Sequence, residues 1–136
     1  MRLSASGRVL GYLRDNGFKT YLVSAGGADF MRAFSDEAYG VPREQVIGSN
    51  VKLRFDTGGE RASLAKLAEL NLFNDRETKP MSIGLHTGRR PLLAFGNSDG
   101  DLAMMRYAKS GPVPASRCSF ITTTPSVRRP TTGNSD

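Results

Sequence analysis

The Gly-Asn-Ser-Asp-Gly-Asp turn at residues 96–101 carries the densest set of residue types in this chain that could bind a metal ion and a phosphate. It follows the apolar run 92–95 and opens a helical pattern of apolar residues. A turn between a strand and a helix projects carboxylate and amide oxygens into one small volume, which suits a divalent cation beside a phosphate. Taken alone, the turn is more often a surface turn with Asp99 as a helix N-cap.

A second candidate lies at the end of the apolar segment 20–24, where the hydroxyl of Ser24 is followed by Ala25, Gly26 and a further glycine. A helical pattern comes next, so this hydroxyl and the backbone N–H groups after it are expected at a helix N-terminus, which favours anions. The alternative is a structural connection in which Ser24 caps its own loop and the glycines permit a tight turn.

The third candidate is Lys79, which precedes Pro80. Proline is tolerated at the first helical position, so Lys79 is predicted to lie at a helix start. A lysine there opposes the helix dipole. A surface lysine is the commoner interpretation, whereas a lysine that reaches a phosphate would have a reason to occupy this position.

Strands and helices alternate around these three segments. The predicted helices are 6–16, 28–39, 79–86 and 99–108, and the predicted strands are 20–24 and 92–95. Segment 45–55 is predicted to be a strand pair or one bent strand, with a turn at 57–60. Residues 71–77 are predicted to form a loop, and segment 62–70 favours a helix by propensity. The alternation predicts an α/β fold with a parallel sheet, right-handed crossovers and a site at the carboxyl ends of the strands.

In this order the three segments resemble motifs two, three and four of the haloacid dehalogenase-like phosphatases, on the phosphoserine-phosphatase-like side. The similarity covers most of residues 6–110. It implies a partial Rossmann-like parallel sheet with flanking helices within residues 1–110, and a small β insertion at 45–70. Under this resemblance, segment 62–70 is a returning strand of the insertion rather than a helix.

The resemblance also implies a site and an activity. The matching positions are Ser24, Ala25, Gly26, Lys79, Asn97 and Asp101, with Asp99 close by. The first three would hold the phosphoryl group, the lysine would balance its charge, and the last three would face Mg²⁺. The implied reaction is the magnesium-dependent hydrolysis of a small phosphorylated metabolite such as phosphoserine, in which catalysis is mostly positioning and electrostatics.

The chain departs from the family at its first motif, Asp-x-Asp-Gly-Thr, which carries the nucleophile and the general acid/base. No segment before Ser24 fits that motif, and the nearest imitation, residues 54–59, is predicted to be a hairpin turn. Asn97 stands where the family usually has an aspartate. We therefore expect an inactive fragment that is marginally stable or prone to aggregate. The alternative is a non-catalytic phosphate-binding or interaction remnant, complemented by a separately encoded N-terminal piece.

Composition favours one small domain in the cytoplasm. The 136 residues include one cysteine, Cys118, which excludes a disulfide framework within the chain. No apolar run is long enough for a membrane span, so no membrane partner is expected. The net charge of +6 raises a third interpretation, a basic nucleic-acid-binding module, but the basic residues are scattered and no recognition motif frames them.

The tail at residues 111–136 changes character, because proline, threonine, serine and arginine dominate it without periodicity. Such a composition predicts disorder. A sharper hypothesis is an out-of-frame translation. Codons exist for residues 114 onward whose shifted frame reads His-His-Asp-Asp-Ala-Glu-Arg-Glu, a string similar to one that relatives of this branch tend to carry here. The encoding DNA tests this hypothesis directly.

Overall fold

A computed structural model describes the backbone of residues 5–112 and the side chains from residue 7. The interpretations of the tail therefore fall almost wholly on residues outside the described ones. The helices are α1 (Ala5–Asp15), α2 (Ala28–Arg32), α3 (Ser35–Tyr39), α4 (Thr78–Thr87) and α5 (Leu102–Lys109). The strands are β1 (Leu22–Gly27), β2 (Val46–Asp56) and β3 (Ser63–Leu72). Short 3₁₀ turns at Arg43–Gln45 and Asp99–Asp101 lead into β2 and α5.

The described residues form an α/β fold around a three-stranded mixed sheet in the order β1-β2-β3. β1 and β2 are parallel, as the alternation of strands and helices predicts. β2 and β3 are antiparallel and extend beyond β1 as a hairpin. The predicted α/β class is thus confirmed, and the segment 45–70, predicted to be a small β insertion, contributes most of this hairpin.

The hairpin resolves the ambiguity of segment 62–70. β3 pairs with β2 along its length, and Phe55 lies directly opposite Leu64. The helical propensity of this leucine- and alanine-rich segment is overridden because cross-strand pairing with β2 satisfies its backbone hydrogen bonds. Residues 57–62 connect the strands, so the turn predicted at 57–60 is confirmed, whereas residues 54–56 of the stretch 54–59 belong to β2 rather than to the turn.

Two predicted elements are wrong. Residues 92–95 are not a strand, because among the described residues no strand pairs with them, and Gly96 alone forms a bridge. An apolar run becomes a strand only where a neighbour completes its hydrogen bonds. The helix predicted over 28–39 is broken at residues 33–34, where Phe34 has φ −132° and ψ 0°. β1 begins and ends later than expected, and β3 takes two residues of the predicted loop 71–77.

The core draws the three chemical segments together. Ile47, Ile83 and Met104 form its buried centre. Packed against them are four half-buried residues: Tyr21, Val23, Ala94 and Tyr107. Val23 precedes Ser24, Ala94 lies three residues before Asn97, and Ile83 lies one helical turn after Lys79 on the same face of α4. Burying these apolar side chains in one cluster therefore positions their polar neighbours around it.

Candidate functional site

A buried ion pair links α4 to the turn before α5. Lys79 Nζ donates to Asp101 Oδ1 at 2.5 Å, and each residue is only 5% exposed. Lys79 is the second residue of α4, as its position before Pro80 predicts. Pro80 lies in the first turn, where its missing N–H costs no helical hydrogen bond. An ammonium has three hydrogens, so the contact with Asp101 leaves donor capacity on Lys79.

The second oxygen of Asp101 is held by the turn itself. Asp101 Oδ2 accepts from the backbone N–H of Asn97 at 2.9 Å and from the N–H of Ser98 at 3.3 Å. Burial alone would raise the pKa of Asp101, but the hydrogen bonds from Lys79 and from the Asn97 backbone outweigh it, so the pKa lies below its ordinary value. Asp101 is thus an ionised, fully engaged carboxylate. The N-cap of the 3₁₀ turn is Ser98 rather than Asp99, which is exposed.

At the candidate phosphate segment, β1 leaves its regular ladder. Val23 pairs with Ile47 and Gly27 pairs with Ser49, so four steps along β1 match two along β2. The residues left over are Ser24, Ala25 and Gly26, the three predicted to hold a phosphoryl group. A bulge of this kind releases backbone groups from the ladder and is common beside functional sites.

Side chains from elsewhere satisfy the carbonyls of the bulge. Asn74 Nδ2 donates to the Ser24 carbonyl at 2.9 Å, and Ser49 Oγ donates to the Ala25 carbonyl at 2.6 Å. Ser49 Oγ also accepts from the Asn74 backbone N–H at 2.9 Å, which joins the two. The Ser24 hydroxyl accepts from the Gly26 N–H at 3.0 Å. The local turn foreseen as the structural alternative for Ser24 is therefore present.

Close backbone approach at two glycines keeps these segments tight. A Cβ on Gly48 would lie 2.8 Å from the Gly26 carbonyl oxygen and 2.9 Å from the backbone of Ala28. A Cβ on Gly96 would overlap the side chain of Asp101. Only glycine allows β2 to lie against the start of α2 and the turn to fold over Asp101.

The loop before α4 contacts both of the other segments. Asn74 is bonded to the β1 bulge at Ser24. The neighbouring Asp75 lies against Gly100, where an added Cβ would be 2.5 Å from Asp75 Oδ1. Lys79, one turn further on, contacts Asp101. The structure thus brings the bulge, the start of α4 and the 96–101 turn around one loop. Within the 96–101 turn, the side chains of Asn97, Ser98 and Asp99 are exposed to solvent.

The three residues that the resemblance assigns to Mg²⁺ have different surroundings. Both oxygens of Asp101 are engaged by protein donors, Asn97 contributes a neutral amide, and Asp99 is exposed. Among residues 5–112, no three His, Cys, Asp or Glu residues lie close enough to hold a metal ion. The Mg²⁺ that the family resemblance implies therefore stays a prediction.

Sequence reasoning missed Asn74, Ser49 and Asp75. Asn74 is fully buried, and its Oδ1 has no hydrogen-bond partner among the described residues. In the sequence, an asparagine shortly before a helix resembles an N-cap. Its hydrogen-bond partner Ser24 lies 50 residues away, so no local pattern indicates the contact. Ser49 carries no signal beyond its position at the end of an apolar segment.

No family model and no curated protein matches this chain. Among solved structures, it is similar to the crystal structure of a conserved functionally unknown protein from Anaerococcus prevotii DSM 20548, with a TM-score of 0.57 and 29% sequence identity. The match covers 72% of this chain and 26% of that one, so it spans about a quarter of that protein's length. In the part of the chain that the structure describes, no helix is long and apolar enough to cross a membrane.

Proposed function

We propose that this chain binds the phosphoryl group of a small phosphorylated metabolite, as part of a hydrolase of the haloacid dehalogenase-like type. The observation that supports this most is the buried Lys79–Asp101 pair at the start of α4, whose preceding loop is bonded to the β1 bulge through Asn74. A buried ion pair is a poor source of stability, because desolvation offsets most of the attraction. A buried, oriented ammonium is, in contrast, well suited to bind an anion in a low-dielectric site.

Each residue has a defined part in the proposed binding. The Ala25 N–H and the Ser24 hydroxyl, which the Gly26 N–H orients, bind the phosphoryl oxygens, and Lys79 supplies the positive charge. Asp101 keeps the Lys79 ammonium in place. Phosphate binding in this form uses groups of the chain itself.

Turnover requires groups that the sequence lacks. The resemblance assigns the nucleophile and the general acid to an Asp-x-Asp-Gly-Thr motif, which is absent from these 136 residues. We therefore propose that the chain alone binds phosphate without hydrolysing an ester. A separately encoded piece with that motif would supply the missing carboxylates, and cytoplasmic metabolites are its proposed substrates.

A binding titration tests the proposal. Inorganic phosphate is titrated into the full chain by calorimetry, and the double variant Lys79→Gln/Asp101→Asn is compared with wild type. The double variant keeps polar side chains of similar size but removes both buried charges. We expect wild type to bind and the double variant to lose binding while circular dichroism shows it folded.

The matched control is the exposed pair Lys52–Glu69, whose atoms are 2.6 Å apart on the hairpin. Lys52→Gln/Glu69→Gln removes the same two charges from the surface and is expected to bind as wild type does. A folded Lys79→Gln/Asp101→Asn variant that binds phosphate as tightly as wild type would contradict the proposal.

A further inference from the structure

The three bulged residues of β1 are held from one side by two side chains that have no place in the family's motifs. Asn74 and Ser49 bond the carbonyls of Ser24 and Ala25, and they are bonded to each other through the Asn74 N–H and Ser49 Oγ. Asn74 comes from the loop before α4 and Ser49 from β2. Two neighbouring elements therefore fix two consecutive peptide units.

The direction of a carbonyl also fixes the direction of an N–H. In a planar trans peptide, the N–H of the next residue points opposite to the C=O. Since the Ser24 carbonyl points at Asn74, the Ala25 N–H points away from it. The Ala25 carbonyl, held by Ser49, fixes the Gly26 N–H in the same way, and this N–H meets the Ser24 hydroxyl.

The geometry points to Asn74 and Ser49 as positioning residues of the phosphoryl site: by holding the carbonyls of Ser24 and Ala25, they preset two donors for the anion, the Ala25 N–H and the Ser24 hydroxyl that the Gly26 N–H orients. This inference rests on the proposed function for the ligand. Donors fixed before binding need no reorganisation when the charge arrives, which is the main advantage of such a site.

The environment of Asn74 argues against a purely packing role. Asn74 is fully buried, yet its Oδ1 has no partner among the described residues. An unsatisfied buried amide oxygen is costly, and an apolar side chain of similar size would avoid that cost. What the amide supplies here is its Nδ2 donor, which reaches the Ser24 carbonyl and lies 3.5 Å from the Ile47 carbonyl.

The test removes the Ser49 clamp and follows both phosphate binding and the bulge amides. In the ¹⁵N-labelled full chain, Ser49→Ala is expected to shift the Ala25 and Gly26 amide signals, speed their hydrogen exchange and weaken inorganic phosphate binding about tenfold. Ser49→Thr keeps the hydroxyl and is expected to restore both. If Ser49→Ala does not fold, Ser49→Cys replaces it, since a thiol is a weak donor of similar size.

Ser82→Ala is the matched control. Ser82 is a buried hydroxyl in α4 that donates to the Thr78 carbonyl at 2.9 Å, so its loss costs a comparable hydrogen bond away from the bulge. It is expected to lower stability while the Ala25 and Gly26 signals stay in place. This readout separates positioning from a general loss of stability.

The outcomes distinguish this inference from the proposed function. If wild type binds phosphate and folded Ser49→Ala binds equally well, the positioning role is overturned and the proposed function stands. If wild type does not bind phosphate, the proposed function fails, and with it the ligand that the positioning would serve. Unchanged Ala25 and Gly26 amide signals in Ser49→Ala overturn the clamp in either case.

Discussion

Lys79 and Asp101 lie 22 residues apart in the sequence and form a direct contact of 2.5 Å with almost no exposure to solvent. Their elements, α4 and the turn before α5, are brought together by Ile83 and Met104, which pack in one buried cluster. The same packing that stabilises the fold therefore sets the ion pair. Substitution of either charged residue should therefore change both the free energy of unfolding and the proposed binding of phosphate.

Removal of one partner of this pair should be strongly destabilising. Lys79→Met leaves the Asp101 carboxylate buried without its cation, and the free energy of unfolding should fall by about 3–5 kcal/mol. Lys79→Met/Asp101→Leu should recover part of that loss, because it leaves no unpaired charge. Urea denaturation of the variants measures this. A double variant no more stable than Lys79→Met alone would contradict the coupling.

Acidification should destabilise the fold through Asp101. Its pKa is lowered in the folded state from the ordinary 3.8, so its contribution is present above that value and is lost as the pH falls through the lowered pKa. Unfolding midpoints from pH 7 to pH 2 should therefore fall steeply below pH 4 in wild type and less steeply in Asp101→Asn.

Asp29 provides the salt control for this pH series. The hydrogen bond from Lys66 also lowers the pKa of Asp29, but both side chains are more than half exposed. The part of the pH dependence that comes from Asp29 should be screened by added salt, whereas the Asp101 part should persist. A pH dependence that vanishes entirely in salt would argue against Asp101 as its source.

A methyl group at Gly96, five residues before Asp101 in the sequence, should disrupt the Lys79–Asp101 ion pair. In Gly96→Ala, the new Cβ overlaps the Asp101 side chain, so the turn must shift, at a cost of about 1–3 kcal/mol. Gly84→Ala is the control, because it lies inside α4 with nothing within 4 Å of its Cβ and should gain about 0.4–1 kcal/mol. Thermal unfolding curves distinguish the two, and equal effects would exclude the clash.

The hairpin should be the source of self-association. Leu64 is 64% exposed on β3, which lies at the edge of the described sheet, and it faces the exposed Phe55. Exposed apolar edge strands template aggregation, so Leu64→Lys should reduce light scattering of the purified chain. Leu85→Lys, on the surface of α4 and 85% exposed, is the control. Equal suppression by the control would show that the edge strand is not responsible.

The isolated chain should not hydrolyse phosphate esters. Incubation with p-nitrophenyl phosphate and magnesium should release no nitrophenol above background, because the sequence lacks the aspartate pair that the resemblance assigns to the chemistry. Release that is abolished by Lys79→Ala and unaffected by Lys52→Ala would overturn this expectation.

Much of the fold follows from local patterns. The parallel β1–β2 pair and the helices α1, α4 and α5 were predictable because apolar periodicity and turn residues mark them in the sequence. β3 was ambiguous, since its leucines and alanines favour a helix and only pairing with β2 decides the matter. Residues 92–95 look like a strand, but apolar character cannot supply the neighbouring strand that pairing needs.

The candidate site was predictable only in part. The residues of the bulge, Lys79 and Asp101 could be singled out because hydroxyl, ammonium and carboxylate groups stand at element ends. The bulge itself was not foreseen, because its register depends on both strands. The role of Asn74 could not be predicted for the same reason, since its hydrogen-bond partners lie in β1 and β2 and no local sequence pattern indicates them.

The bond between Asn74 and the Ser24 carbonyl spans 50 residues of sequence, and this has a consequence for biosynthesis. Ser24 leaves the ribosome well before Asn74, about 3–10 s earlier at a synthesis rate of about 5–20 residues per second. During that interval water must solvate the carbonyl that Asn74 later receives. The nascent chain therefore carries β1 without its bond to Asn74 during that interval, and chaperones that recognise exposed apolar segments have time to engage the apolar residues of this strand.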